Sequence, residues 1–160
     1  NIAELRGDLL GAERALREGV EIMRRIGDHG HLSSLAPVLA DVLYAQDRDD
    51  EALRLTEEAQ HLTLDGDVDA EVSWRRVHAK LLARAGDIDS AVRLAKEAVD
   101  FATPTEYLTL TGDAYRDLAV VLRAAGHTDD ADSALRLALA FFERKGNVIM
   151  AEATRAQLAE

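Results

Sequence analysis

A short turn sequence recurs along this chain at nearly constant intervals. If Gly7, Asp47, Gly86 and Gly126 are taken as equivalent, the intervals are 40, 39 and 40 residues. Each of these residues lies in a polar or glycine-containing string that interrupts a helix-forming stretch. A fixed period of this length is typical of arrays of repeated helical units, in which each unit packs mainly on its neighbours. The repeat therefore constrains the fold more than the chain length does.

Small residues recur at fixed distances from these turns. Five residues beyond each turn stand Ala12, Ala52, Ala91 and Ala131, and twelve beyond stand Gly19, Ala59, Ala98 and Ala138. Seven residues before the last three turns stand Ala40, Ala79 and Ala119, and fifteen after the turns stand Ile22, Leu62, Phe101 and Phe141. Small side chains let two antiparallel helices approach closely, whereas large ones fill the space between neighbouring hairpins. We therefore predict a stack of helical hairpins.

Composition favours an all-α fold. Aromatic residues make up 4% of the 160 residues and proline occurs twice, while the abundant Ala, Leu, Glu and Arg are good helix formers. We predict about eight helices, over residues 9–26, 33–46, 49–62, 69–85, 88–101, 105–125, 128–144 and 148–159. The string Thr103-Pro104-Thr105-Glu106 has the residues of a capping box and predicts the start of the sixth helix.

The third repeat carries the pattern of a known family. Residues 79–98 read Ala-x-x-Leu-x-x-x-Gly-Asp-x-x-x-Ala-x-x-x-x-x-x-Ala, which resembles the tetratricopeptide repeat signature. The resemblance covers nearly the whole chain and implies a right-handed superhelix, or α-solenoid, whose concave face binds other proteins. The repeat departs from the family in being 39 or 40 residues long instead of about 34 and in lacking most of the usual large aromatic and proline positions.

The longer repeat is similar to the helical arrays of large bacterial regulators. These include MalT-like and other LuxR-type ATPases and class III cyclase or AfsR-like proteins, and the string over residues 141–147 resembles their last repeats. This resemblance implies a sensory or coupling segment of a bacterial signalling or transcriptional regulator. Its partners would be a protein, a peptide or other domains of the parent chain.

The repeat register divides the chain incompletely at both ends. Residues 1–6 correspond to the tail of a first helix, and residues 147–160 correspond to a first helix without its partner. We therefore expect residues 1–160 to be a single repeat array cut from a longer protein. Uncapped arrays expose apolar ends, so self-assembly, for example as a homodimer through these ends, is the alternative function.

Basic residues follow one side of the first helices of successive hairpins. Arg76, Lys80 and Arg84 are spaced by four residues, and Arg116 and Arg123 by seven, so each set forms a helical stripe. Asp41, Tyr44, Ser73 and Asp113 are expected on the same side. We predict a local basic surface that binds a carboxylate or an acidic peptide. The alternative is that these are solvated charges answered by Asp and Glu on neighbouring helices.

Charge and hydropathy exclude several other classes. The net charge of −11 opposes binding to nucleic acid, and no apolar run approaches the roughly 20 residues needed to cross a bilayer. The chain has no cysteine, so it has no disulfide or thiolate metal site, in keeping with a cytoplasmic protein.

No recognisable signature of an enzyme, cofactor site or metal site is present. Residues 65–69 imitate the opening of a calcium loop, but Ala70 and Arg76 replace the glycine and glutamate that such a loop requires. His29 and His31 are expected in a turn and lack a third ligand at a suitable spacing. We expect no catalysis, and we expect Trp74, Tyr107, Tyr115, Phe141 and Phe142 to belong to the core.

Overall fold

Eight α-helices make up most of the described chain. The computed structural model describes residues 2–159, and for residues 2–7 it describes the backbone alone. The helices are α1 (Ile2–Ile26), α2 (His29–Tyr44), α3 (Asp49–Leu62), α4 (Val68–Ala85), α5 (Ile88–Ala102), α6 (Leu108–Ala124), α7 (Thr128–Lys145) and α8 (Val148–Leu158). The prediction of an all-α fold with eight helices is confirmed over these residues.

The helices are arranged in two layers. α2 packs on α3, α4 on α5 and α6 on α7, and each of these pairs is a hairpin with a short connection. α4 also contacts both α2 and α6, so α2, α4 and α6 form one layer, with α3, α5 and α7 in the other. The predicted α-solenoid of helical hairpins is confirmed.

The small residues of the repeat lie where the helices approach most closely. The alanines of the second, third and fourth repeats are fully buried, namely Ala52, Ala59, Ala91, Ala98, Ala131 and Ala138. They belong to apolar clusters that follow the hairpins along the array, and Leu94 of α5 packs against both of the larger clusters. The core is thus continuous from one hairpin to the next instead of being gathered in a single centre.

The aromatic and large apolar residues are less regular than the repeat predicts. Ile22 and Phe101 are 39% and 40% exposed, so the prediction that they fill interior space is wrong. Phe142 is fully buried, and the expected core residue Tyr107 is 59% exposed. A larger residue in place of a small buried one disrupts the packing of the helices, whereas a large residue at the edge of a helix interface tolerates partial exposure.

Tight turns end the helices at three of the four predicted positions. Gly86 and Gly126 have φ values of 92° and 79°, in the left-handed region that glycine adopts at little cost, and Asp47 adopts the same region with φ 59°. The turn predicted near residue 7 is not formed, because α1 is a continuous helix of 25 residues through Gly7. One glycine in a long helix lowers its stability without ending it.

Side-chain caps mark several helix starts. Asp28, Asp67, Asp87 and Asn147 each accept a hydrogen bond from the backbone N–H three residues later. The start predicted for the sixth helix at residue 105 is wrong, because α6 begins at Leu108. Thr105 Oγ1 instead donates a hydrogen bond to the carbonyl of Ala102, which closes a loop before the helix.

His29 and His31, expected in a turn, lie in the first turn of α2. Asn1 and Glu160, the outermost residues of the two repeats that were predicted to be incomplete, lie outside the described residues.

Candidate protein-interaction groove

The layer of α2, α4 and α6 brings charged side chains of three successive repeats together. Asp41 lies on α2, Arg76 and Lys80 lie on α4, and Asp117 lies on α6. We call these four residues the ion quartet. Because neighbouring repeats stack with a period of 39 or 40 residues, residues separated by about that distance in sequence become neighbours in space.

Each cation of the ion quartet contacts both carboxylates. Arg76 Nη1 lies 2.6 Å from Asp117 Oδ2 and 3.1 Å from Asp41 Oδ2. Lys80 Nζ lies 2.5 Å from Asp41 Oδ1 and 3.1 Å from Asp117 Oδ1. Two positive and two negative charges therefore form a neutral group that connects three repeats.

The ion quartet is largely removed from solvent. The side chains of Arg76, Lys80 and Asp117 are 9%, 6% and 3% exposed. Burial alone would raise the pKa of Asp41, but Arg76 and Lys80 hold that pKa well below its ordinary range. Burial likewise opposes the charge of Arg76, and Asp41 and Asp117 raise the pKa of its guanidinium above the ordinary value. Asp41 and Arg76 are therefore placed to stay ionised and paired.

This arrangement changes the interpretation of the basic stripe on α4. Arg76 and Lys80 were expected to form an open basic surface, but they are buried and neutralised by Asp41 and Asp117. The prediction of a free positive surface at these two residues is wrong, because residues on neighbouring helices pair with both. The alternative prediction, that Asp and Glu on neighbouring helices pair with these charges, agrees with the observed ion pairs. The structure differs from it in that Arg76 and Lys80 are buried and not solvated.

Asp117 was missed by the sequence analysis, although the chain carries a signal for it. Asp113 and Asp117 are one helical turn apart on α6, as Arg76 and Lys80 are on α4, and both pairs are offset by the same 37 residues. Two stripes of opposite charge at equal spacing on adjacent helices indicate cross-helix pairing. The identity of the paired atoms still depends on the rotation of each helix.

Arg84 and Tyr44 lie at the end of the same face. The Arg84 guanidinium carbon is 3.6 Å from the centre of the Tyr44 ring, and Lys80 Nζ is 4.8 Å from it. Arg84 Nη1 also donates to Asp49 Oδ1 at 2.6 Å and to the Tyr44 carbonyl at 3.1 Å. Tyr44 therefore holds two cations by cation–π contact while its backbone joins the α2–α3 turn to α4.

Arg116 and Arg123 connect α6 to α8. Arg116 Nη2 lies 3.6 Å from Asp113 Oδ1, and its Nη1 lies 3.7 Å from the sulfur of Met150. Arg123 Nη2 donates to the carbonyl of Gln157 at 2.8 Å and lies 3.3 Å from an oxygen of Asp132. Each of these two arginines therefore already contacts groups of its own chain.

Two cavities flank the ion quartet on the face of this layer. One cavity, of about 450 Å³, is lined by residues that include Val38, Ser73, Arg76, Tyr107 and Asp113, and we call it the Asp113 cavity. The other, also of about 450 Å³, is lined by residues that include Leu9, Tyr44, Lys80, Arg116 and Gln157. Because Leu9 of α1 and Gln157 of α8 line the same cavity, the two ends of the array curve towards this face. We call the two cavities together the inner-face groove.

The described residues carry neither a cluster of three metal-ligating side chains nor a helix suited to span a membrane. No group of three or more His, Asp or Glu side chains within residues 8–159 is arranged to hold a metal ion. His31 Nδ1 instead lies 2.8 Å from Asp28 Oδ2 at the start of α2. None of the helices in residues 2–159 combines the length and the apolar character needed to span a bilayer.

Comparisons with known proteins agree on the repeat. Residues 69–144 match the tetratricopeptide repeat family. The crystal structure of BtubC (BKLC) from P. vanneervenii superposes with a TM-score of 0.65 at 21% sequence identity, over 91% of this chain and 62% of that chain. At this identity the likeness concerns the fold alone, and this chain spans about three-fifths of the length of that protein. No curated protein matches the sequence. With the stacked helices and the buried alanine register, these findings identify residues 69–144 as tetratricopeptide-like repeats within an α-solenoid.

Proposed function

We propose that this array is a protein-interaction module that binds a segment of a partner protein in the inner-face groove. Arrays of tetratricopeptide repeats generally mediate protein–protein interaction or scaffolding and are generally not catalytic. The observation that carries the proposal is the pair of cavities on either side of the ion quartet. The quartet holds three repeats together, so the groove has a preformed floor, which lowers the entropic cost of binding.

The groove has the mixed lining that peptide sites use. Val38 and Tyr107 line the Asp113 cavity and are 40% and 59% exposed, although both are large apolar side chains. Ser73 and Asp113 supply polar groups in the same cavity. A concave site with apolar walls and a few convergent polar groups is the usual form of a recognition site.

Photo-crosslinking tests the location of this site. The photoreactive residue p-benzoylphenylalanine replaces Tyr107 in the groove, or Leu64, which is 68% exposed in the α3–α4 loop and does not line either cavity. We expect crosslinks to a partner in the native host from position 107 and not from position 64, and we expect the substitution Val38→Asp to reduce them. Equal crosslinking at both positions, or none at position 107, would contradict the proposal.

We further propose that the array is a coupling segment of a cytoplasmic bacterial signalling or transcriptional regulator. The support is the repeat length of 39 or 40 residues, which resembles the arrays of such regulators. Other domains of the parent chain are then candidates for the partner. Identification of a nucleotide-binding or DNA-binding domain in the parent chain would test this proposal, and a parent chain without either would contradict it.

Self-assembly is the second candidate function. The observation that favours it is the exposure of Val148 and Ile149 on α8, at 64% and 79%. Apolar residues at the end of an array offer a surface for a second copy. Measurement of the mass in solution over a concentration series tests this candidate, with Ile149→Asp as the variant expected to abolish any dimer. A monomer at every concentration would contradict it.

A further inference from the structure

The Asp113 cavity contains a carboxylate that accepts no hydrogen bond from the part of the chain that the structure describes. Asp113 has a side chain that is 21% exposed, and its nearest cation is Arg116, at 3.6 Å, beyond hydrogen-bond distance. No donor among residues 8–159 bonds to this carboxylate. Burial raises the pKa of Asp113 above its ordinary value, so the ionised form of this carboxylate carries a free-energy cost in the folded chain. A ligand that supplies a positive donor would offset that cost.

Arg76, in the wall of the same cavity, also lacks part of its hydrogen bonding. Its side chain is 9% exposed. Its observed hydrogen bonds to residues 8–159 all leave from Nη1, and its buried Nε has no acceptor in that part of the chain. A buried guanidinium with unused donors is costly. Because Nε is itself shielded from solvent, a carbonyl oxygen of a ligand in the cavity would reach it after a shift of the Arg76 side chain.

The charge balance of the cavity decides the sign of its ligand. Asp69, Glu106 and Asp113 line it together with Arg76 and Lys145. Arg76 is already neutralised within the ion quartet, which leaves the three carboxylates against Lys145 and the Arg116 guanidinium 3.6 Å from Asp113. Complementarity therefore favours a cationic group over the acidic one expected from the sequence.

From this geometry we infer that the Asp113 cavity binds a lysine or arginine side chain of a partner peptide. This inference rests on the proposed function and assigns the chemistry of its ligand. The cationic head of the ligand lies at Asp113, and its main-chain carbonyl lies beside Arg76. Apolar neighbours of the basic residue contact Val38 and Tyr107. The volume of about 450 Å³ falls in the range of roughly 300–1,000 Å³ typical of ligand sites.

Two capped peptides that differ in one charge test the inference. Acetyl-Leu-Ser-Lys-Ser-Leu-amide and acetyl-Leu-Ser-Glu-Ser-Leu-amide are titrated into the full 160-residue chain, and the backbone amide resonances are followed by NMR. We expect the lysine peptide to shift the resonances of residues 106–113 and the glutamate peptide to shift them much less. Higher salt is expected to weaken the binding of the lysine peptide, because its attraction to the cavity is largely electrostatic.

Matched variants make the outcome specific to Asp113. Asp113→Asn is expected to lower the affinity for the lysine peptide roughly tenfold, because a charge-assisted hydrogen bond is lost. Asp65→Asn removes an equal charge from an exposed loop position outside the cavity and should leave the affinity unchanged. Lys145→Gln removes the competing cation and should strengthen binding.

The possible results separate this inference from the proposed function. Tighter binding of the glutamate peptide in the groove, or a lysine peptide unaffected by Asp113→Asn, would overturn the cationic site while leaving protein binding in the groove intact. Absence of binding by both peptides would also overturn it. The proposed function has its own test, because an absence of crosslinks from position 107 would contradict protein binding in the groove.

Discussion

Arg76 Nη1 lies 2.6 Å from Asp117 Oδ2, and both side chains are less than one-tenth exposed. The substitution Asp117→Asn leaves Arg76 and Lys80 with Asp41 as the remaining carboxylate of the ion quartet. We expect a loss of about 3–5 kcal/mol in the free energy of unfolding, because removal of one partner leaves a buried charge uncompensated. Urea denaturation measures this loss.

Two further variants control this measurement. Asp65→Asn, at an exposed loop position, should change the free energy of unfolding by less than about 0.5 kcal/mol. The double substitution Arg76→Met with Asp117→Asn keeps Asp41 and Lys80 as a balanced pair, so it should be less destabilising than the sum of its parts. Additive losses would show that the four charges do not act as one group.

Gly112 faces the ring of Phe142 in the α6–α7 hairpin. A methyl group at Gly112 would lie 2.6 Å from Cε1 of Phe142, which is fully buried. We expect Gly112→Ala to destabilise the fold by about 1–3 kcal/mol, because overpacking exceeds the gain of up to ~1 kcal/mol in helix propensity. Gly11→Ala in α1 meets no atom within 4 Å and should be neutral or stabilising. Thermal unfolding of the two variants compares them, and equal effects would contradict the expected clash.

The alanine register is as sensitive to size as the glycine contact. Ala98 on α5 is fully buried among the residues of two hairpins. Ala98→Leu should cost at least about 1–3 kcal/mol, because the facing helix has no space for three further carbon atoms. Ala153→Leu, at an exposed position of α8, is the matched control, and its free energy of unfolding should change little. A tolerated leucine at residue 98 would mean that the helix separation is not set by small residues.

The fold could be predicted from the sequence because several repeats give separate evidence for the same helical hairpin. Ala52, Ala91 and Ala131 occupy one structural position, so any one of them could be misassigned without losing the register. The start of α6 was misplaced because a Pro-containing capping signal also suits the loop that precedes Leu108. The break near Gly7 was misplaced because glycine alone does not distinguish a turn from a tolerated helix position.

Only part of the candidate site could be predicted from the sequence. The shared face of Asp41, Arg76 and Lys80 follows from helical spacing and the repeat period. Their burial does not, because it depends on how far neighbouring hairpins rotate towards each other. The same rotation places Asp117 beside Arg76 and Lys80 and leaves Asp113 without a hydrogen-bond donor among residues 8–159.

Asp113 and Asp41 should have opposite effects on the pH dependence of stability. Asp113 is faced by Arg76 of α4, by Arg116 and Asp117 of α6, and by Asp41 of α2. Burial raises the pKa of Asp113 above its ordinary value, so the folded state holds this proton more tightly than the unfolded state does. The stability that Asp113 contributes is fully present below its ordinary pKa, and it is lost as the pH rises through its raised pKa in the folded state.

Asp113→Asn should therefore be more stable than the wild type at about pH 7, with the difference narrowing towards about pH 3. The pKa of Asp41 is lowered instead by Arg76 and Lys80, which outweigh burial, so Asp41→Asn should be less stable than the wild type at neutral pH. That deficit should narrow as the pH falls through the lowered pKa of Asp41. Urea denaturation from about pH 7 to about pH 3 measures the difference for Asp113→Asn, and its extension to lower pH measures the difference for Asp41→Asn. A loss of stability at neutral pH in Asp113→Asn would show that this carboxylate is satisfied within the chain, and the cationic ligand would lose its main physical support.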